Sequence, residues 1–168
     1  NCPEPRSYKN SLFYDRTSKN YDIKKRLFNQ ITNMTIVPVS YWLEGYVRQS
    51  FLKDKRIEVI HNGIDLDLFK PSNNDDILKI RSKFGIGDKK LLLGVASDWS
   101  PRKGFDDFIR LSSHLDEKKV ILLLGLNNKQ IKNLPSNIIG LNRTTNVKEM
   151  ADLYSAADLF VNPTRGNR

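Results

Sequence analysis

Two stretches of the chain, residues 90–97 (KLLLGVAS) and 119–125 (KVILLLG), run apolar residue after apolar residue instead of alternating. A strand wetted on one face alternates. An unbroken apolar run of this length is buried on both faces, which requires a parallel sheet covered by helices on each side. The flanking sequence supplies those helices. The pattern predicts helices over 75–84, 101–115, 129–134 and 147–156, and strands over 90–97, 119–125, 137–141 and 158–162. Four strands alternating with helices make an α/β, Rossmann-like doubly wound parallel sheet.

The first part of the chain repeats the theme less regularly. Residues 1–19 are polar and irregular, a helix is expected over 21–32, and 34–40 (MTIVPVS) reads as a buried strand. Ser40 suits the cap of a helix whose apolar residues Leu43, Tyr46, Val47 and Phe51 follow three–four spacing. Trp42, Tyr46 and Phe51 are expected in a core. Residues 56–60 form another strand, ended by His61-Asn62-Gly63, where a chain reversal with positive φ is expected. The polar run 70–76 (KPSNNDD) is the most linker-like stretch, so a domain boundary is placed at Lys70.

Composition narrows the function classes. The chain has 168 residues, 39% hydrophobic and 28% charged, enough for one good core or a domain plus part of another. Its apolar runs are too short to span a bilayer, and no leader pattern opens it. Its single cysteine, Cys2, allows no intrachain disulfide and no thiolate zinc cage. A cytoplasmic setting fits these features. The formal net charge of +9 favours anionic partners. Residues 19–28 (KNYDIKKRLF) form a basic, partly amphipathic helix compatible with peripheral contact at the inner membrane face, although a solvated helix face is the plainer account.

The loops at the strand ends carry the chemistry. In a sheet ordered 3-2-1-4, the first and fourth strands are neighbours where the winding reverses, and ligands bind beyond their carboxyl ends. The loop after the first strand is SDWSPRKG and the loop after the fourth is NPTRGNR. Ser100 and Pro101 signal a helix start, yet Arg102 and Lys103 follow at once, where the helix end is already positive. Free N–H groups and two cations suit an anion such as a diphosphate. The competing account pairs Arg102 with Asp106 and Lys103 with Asp107 as ordinary i,i+4 surface bridges. No glycine fingerprint of a dinucleotide cradle or P-loop is present. No His/Asp/Glu group has metal-ligand spacing, no serine sits in a nucleophile elbow, and no catalytic residue is assigned. His61 reads as part of a turn, and His114 as a surface residue.

Three motifs in order, VIHNGIDLDLFKP (59–71), SPRKGFDDFI (100–109) and MADLYSAADLFVNPT (150–164), resemble the retaining glycosyltransferases of family 4. The resemblance implies the GT-B architecture of two Rossmann-like domains, with 1–69 the end of the acceptor-side domain and 70–168 the first part of the donor domain. It implies sugar transfer with retention from a UDP- or GDP-linked nucleotide sugar to a sugar or lipid-linked acceptor, in polysaccharide or glycolipid synthesis, without a metal or other cofactor. The family's diphosphate-gripping Lys-Gly falls on Lys103-Gly104, with Arg102 just before it. Ser97 stands where the family often has an arginine, and Arg102 is the substitute charge. The nucleobase loop falls on 142–146, where Arg143 and Thr144 are the expected contacts. Two departures stand out. The family's donor-sugar glutamate motif would open at Gly166, and its Gly-rich loop and histidine have no counterpart. On this resemblance the chain is a central portion of such an enzyme, holding the phosphate grip and inactive alone. A basic α/β nucleic-acid-binding module is the alternative; it needs a clustered basic face or stacking platform, and neither is visible. A receiver-like signalling domain lacks its acidic cluster. The oligomeric state is left open, and an exposed sheet edge is expected after the last strand.

Overall fold

The computed structural model describes residues 16–164, so Cys2, most of the polar opening and Gly166 lie outside the described residues. The chain forms two compact units that divide between Gly63 and Ile64.

In the first unit, helix α1 (Thr17–Gln30) precedes strand β1 (Thr35–Ile36), helix α2 (Tyr41–Arg48) and strand β2 (Arg56–Ile57). β1 and β2 pair in parallel, Thr35 opposite Arg56 and Ile36 opposite Ile57. The strand expected over 34–40 is therefore short. Pro38 has no N–H to donate, and the bonding that continues runs from Glu58 N to Ile36 O and from Ile60 N to Pro38 O. Ser40 caps α2 as expected, its Oγ accepting from Leu43 N at 3.2 Å. The aromatic expectation fails for two residues: Trp42 and Tyr46 are 69% and 57% exposed. Spacing states which residues share a helix face, not whether anything covers it. These two lie against each other, ring centroids 4.6 Å apart, while half-buried Phe51 meets the edge of Tyr21. The expected reversal at Asn62-Gly63 is also absent. Gly63 has no positive φ, and His61 instead places Nδ1 3.0 Å from Val39 O. None of α1 is buried, so residues 19–28 form an exposed helix.

In the second unit the elements are α3 (Asn74–Lys83), β3 (Lys90–Val95), a 3₁₀ turn (Pro101–Lys103), α4 (Phe105–Ser112), β4 (Lys119–Leu124), α5 (Asn128–Lys132), β5 (Ile138–Leu141), α6 (Val147–Ala156) and β6 (Leu159–Phe160). All pairings are parallel, in the order β5-β4-β3-β6. This is the 3-2-1-4 order expected of a doubly wound sheet. Successive residues of β3 and β4 serve opposite faces. Leu91, Leu93, Leu122 and Leu124 join Ile80 and Leu153 on the side of α3 and α6. Leu92, Ile121 and Leu123 join Trp99, Phe108 and Ile138 on the side of α4. Each large apolar side chain fully buried this way contributes roughly 1.5–3 kcal/mol.

The segment around Lys70, expected to join the units, packs with the second. Ser72 donates its N–H to Ser155 Oγ and its hydroxyl to buried Asp152. Asn73 caps α3 through Asp76 N. The run of small polar residues is thus a docked helix entry. Among the described residues no strand pairs with the outer edge of β6, and Leu159 and Phe160 are both more than 45% exposed.

Candidate functional site

The site builds from the carboxyl end of β3. The helix expected to start at Pro101 does not continue. Residues 101–103 form a single 3₁₀ turn, closed by Lys103 N to Ser100 O and Gly104 N to Pro101 O. Gly104 then adopts φ +76° and serves as the N-cap of α4. Ser100 and Pro101 do start a turn, but Ser100 makes no side-chain cap bond. Arg102 and Lys103 therefore precede the α-helix, and its own first turn holds Asp106 and Asp107, the sign its dipole favours. The i,i+4 bridges of the competing account do not form among the described residues, because the left-handed residue takes the turn out of helical register. Asp107 pairs with Arg110. Among the described residues neither Arg102 nor Lys103 makes an ion pair; Arg102 is exposed and Lys103 half-buried.

Gly104 also meets the loop after β6. A Cβ there would lie 2.5 Å from Pro163 Cγ and 2.8 Å from its Cβ. The loops after β3 and β6 thus touch across the switch point, as the strand order requires. At the opposite, amino ends of the two strands, Asp158 ties β6 to β3. Its N–H donates to Leu91 O, and its carboxylate accepts from Lys90 Nζ at 2.7 Å and Leu91 N at 2.9 Å. The Lys90 hydrogen bond, then the Leu91 N–H, keep the Asp158 carboxyl below its ordinary titration range.

On the other side of β3, a cavity of about 250 Å³ opens at the strand ends, lined by Val95, Ala96, Ser97, Leu124, Gly125, Arg143, Thr144 and Met150. The structure therefore gathers Ser97, Arg143 and Thr144 at one cavity; Arg102 and Lys103 do not line it and stand on the adjoining turn. Ser97 and Arg143 are exposed, and Thr144 is half-buried. Thr144 Oγ1 accepts from Asn146 N and donates to Glu149, while Asn146 caps α6 through Glu149 N. Thr144 thus shapes its loop as well as lining the cavity. A larger apolar cavity of about 350 Å³ beside Phe69, Ile77 and Tyr154 lies along α3 and α6, away from the strand ends. It holds none of the expected contacts. Among the described residues no group of His, Cys, Asp and Glu side chains could hold a metal ion, and no helix is long and apolar enough to cross a membrane.

Three residues that shape the site escaped the sequence reading. Gly125 has φ +100°, and a Cβ there would overlap the Ala96 carbonyl oxygen, so the ends of β3 and β4 approach as only glycine permits. Buried Trp99 donates Nε1–H to Leu124 O at 2.9 Å and meets the edge of Phe108. Gln130 donates Nε2–H to Trp99 O. A glycine closing an apolar strand is a usable signal for close backbone approach. Trp99, alone among polar neighbours, carries no periodic one.

No family model matches the chain. Among curated relatives it is 24% identical over 148 residues to the alpha-galactosylglucosyldiacylglycerol synthase of Streptococcus pneumoniae, covering 82% of this chain and 39% of the relative. It is 25% identical over 166 residues to an uncharacterised glycosyltransferase of Methanocaldococcus jannaschii, covering 92% and 39%. Among solved structures it matches Anabaena HepE, crystallised in complex with UDP, at a TM-score of 0.69 and 21% identity, over 88% of this chain and 43% of that one. These relatives and neighbours are glycosyltransferases of the GT-B type. The chain has the α/β, Rossmann-like fold of that class. It spans about two-fifths of the length of these two curated relatives.

Proposed function

We propose that this chain forms the nucleotide-sugar-binding part of a retaining glycosyltransferase of family 4, acting in polysaccharide or glycolipid synthesis. One observation carries the reading. A cavity lined by Ser97, Arg143 and Thr144 opens at the carboxyl ends of β3 and β4, beside a turn that presents two cations without ion pairs among the described residues. Lys103, held by Gly104 against Pro163, grips the donor diphosphate as a compact charge, and Arg102 forks a second pair of oxygens. Ser97 offers a hydroxyl to a phosphate oxygen. The 142–146 loop takes the nucleobase, with Arg143 and Thr144 at its edge. Charge that builds on the leaving diphosphate is stabilised by groups already in place, which is where such a site lowers a barrier. The donor is UDP- or GDP-linked, the acceptor is a sugar or lipid-linked sugar, and no metal is used.

The similarity to glycosyltransferases supports this reading over a basic nucleic-acid module. Calorimetric titration with UDP, GDP and ADP, alongside a duplex and a single-stranded oligonucleotide, tests it. Binding of one nucleoside diphosphate names the base. Salt-steep oligonucleotide binding with no response to nucleotides would replace the donor reading by the nucleic-acid one.

A further inference from the structure

The two parts of the candidate site, the 97–103 loop and turn and the 142–146 loop, both hang on a third segment, which itself reaches the cavity only through Leu124 and Gly125. Residues 124–130 run from the last residue of β4 through its loop into α5. On one side this connection reaches the phosphate loop. Trp99 donates Nε1–H to Leu124 O, and Gln130 donates Nε2–H to Trp99 O, both at 2.9 Å. On the other side it reaches the base loop. Asn142 donates Nδ2–H to Leu126 O and to Asn128 Oδ1, both at 3.0 Å. The connection is itself stiff. Asn127 and Gln130 form a reciprocal capping box on α5, and Gly125 sits in backbone contact with Ala96.

We propose that this β4–α5 connection is a bracket that sets the spacing between the diphosphate and nucleoside halves of the donor site, with Gln130 and Asn142 as positioning residues. The inference rests on the donor-site reading. A nucleoside diphosphate must satisfy both loops at once, so its affinity depends on their separation, whereas a nucleoside alone feels only one of them. Neither Gln130 nor Asn142 lines the cavity.

Gln130 offers a substitution that separates the bracket from helix stability. Its Oε1 accepts from Asn127 N and its Nε2 donates to Trp99 O. Gln130→Glu keeps the acceptor that caps α5 but turns a carboxylate toward the Trp99 carbonyl, releasing the phosphate loop. Asn142→Asp removes the donor that holds the base loop. The experiment titrates UDP and uridine into the full chain and into both single variants and the double variant, with melting temperatures alongside. Gln130→Glu is expected to weaken UDP about tenfold, the value of one lost positioning hydrogen bond, and to leave uridine nearly unchanged. Gln130→Met, which adds no charge, gives the same UDP loss and so excludes repulsion by the new carboxylate. Asn142→Asp weakens both ligands. The double variant binds UDP little worse than the weaker single one, because either break already frees the spacing; two unrelated structural losses would multiply instead. Singles without effect on UDP, or losses that multiply, overturn the bracket. A wild-type chain that binds no UDP, GDP or ADP overturns the donor-site reading, and the bracket with it.

Discussion

Gly104 and Pro163 stand against each other across the switch point, so close that a methyl group on Gly104 would lie 2.5 Å from Pro163 Cγ. The same glycine holds φ +76°, a left-handed conformation costing an ordinary residue about 1–2 kcal/mol. Gly104→Ala combines that strain with the clash. It should lower stability by more than about 1 kcal/mol in urea unfolding and also weaken nucleoside diphosphate binding, because Lys103 moves with the turn. Undiminished affinity in a stably folded Gly104→Ala variant would detach the turn from the ligand.

Lys103 and Arg102 separate binding from stability. Neither makes an ion pair among the described residues, and both sit on a surface turn. Lys103→Ala should leave the melting temperature nearly unchanged and cost about 1.5–3 kcal/mol of nucleoside diphosphate affinity, the worth of a hydrogen bond to a charged group. Arg102→Ala, at the more exposed position, should cost less and lose its effect as salt is raised. A variant that melts earlier without weaker binding would assign these cations to the fold alone.

Gly94 lies where α4 crosses β3. A Cβ there would come within 2.6 Å of Phe108 Cζ and 2.8 Å of Leu123 Cδ2. Gly94→Ala should therefore destabilise by about 1–3 kcal/mol through overpacking. Phe108→Leu in the same chain makes room, so the double variant should lose less than the two singles added. Additive losses in a double-mutant cycle would show that the crossing is not limited by this contact.

Asp158 makes stability depend on pH with a defined sign. Lys90 and the Leu91 N–H hold its folded-state titration below the unfolded value, near ~3.9. The stability this contributes is fully present above the unfolded value and is lost as pH falls through the folded one. Asp158→Asn should therefore unfold at lower urea than wild type at neutral pH, and the gap should narrow as pH drops below about 4. A gap constant across that range would mean that the charge of Asp158 does not tie β6 to β3.

The legible parts of this fold are the ones fixed by burial. The runs 91–95 and 120–124 could be covered only on both faces, and from that came the parallel sheet flanked by helices; the strand order followed from the doubly wound class. The turn at 101–103 was not legible in the same way. Ser-Pro marks the start of a turn whether or not a helix continues, and what stops it is the left-handed φ of Gly104, a residue that packs against Pro163, 59 positions further along the chain. Trp42 and Tyr46 show the converse limit, since helical spacing sorts faces without saying what lies over them. For the site, charge and strand-end position led to Arg102 and Lys103, and the motif likeness led to Ser97, Arg143 and Thr144. The supports at Trp99, Gly125 and Gln130 depend on side chains meeting backbone carbonyls of other loops, which no local pattern records.

The central claim, that a nucleotide sugar binds over the ends of β3 and β4, is tested most directly by following backbone amide resonances of the labelled chain during titration with UDP and GDP. The account predicts that the shifts gather at Ser97, at Lys103 and Gly104, and at Arg143 to Asn146, and that Lys103→Ala removes the second group. Shifts confined to the cavity beside Phe69 and Tyr154, or spread along the basic face of α1, would contradict it.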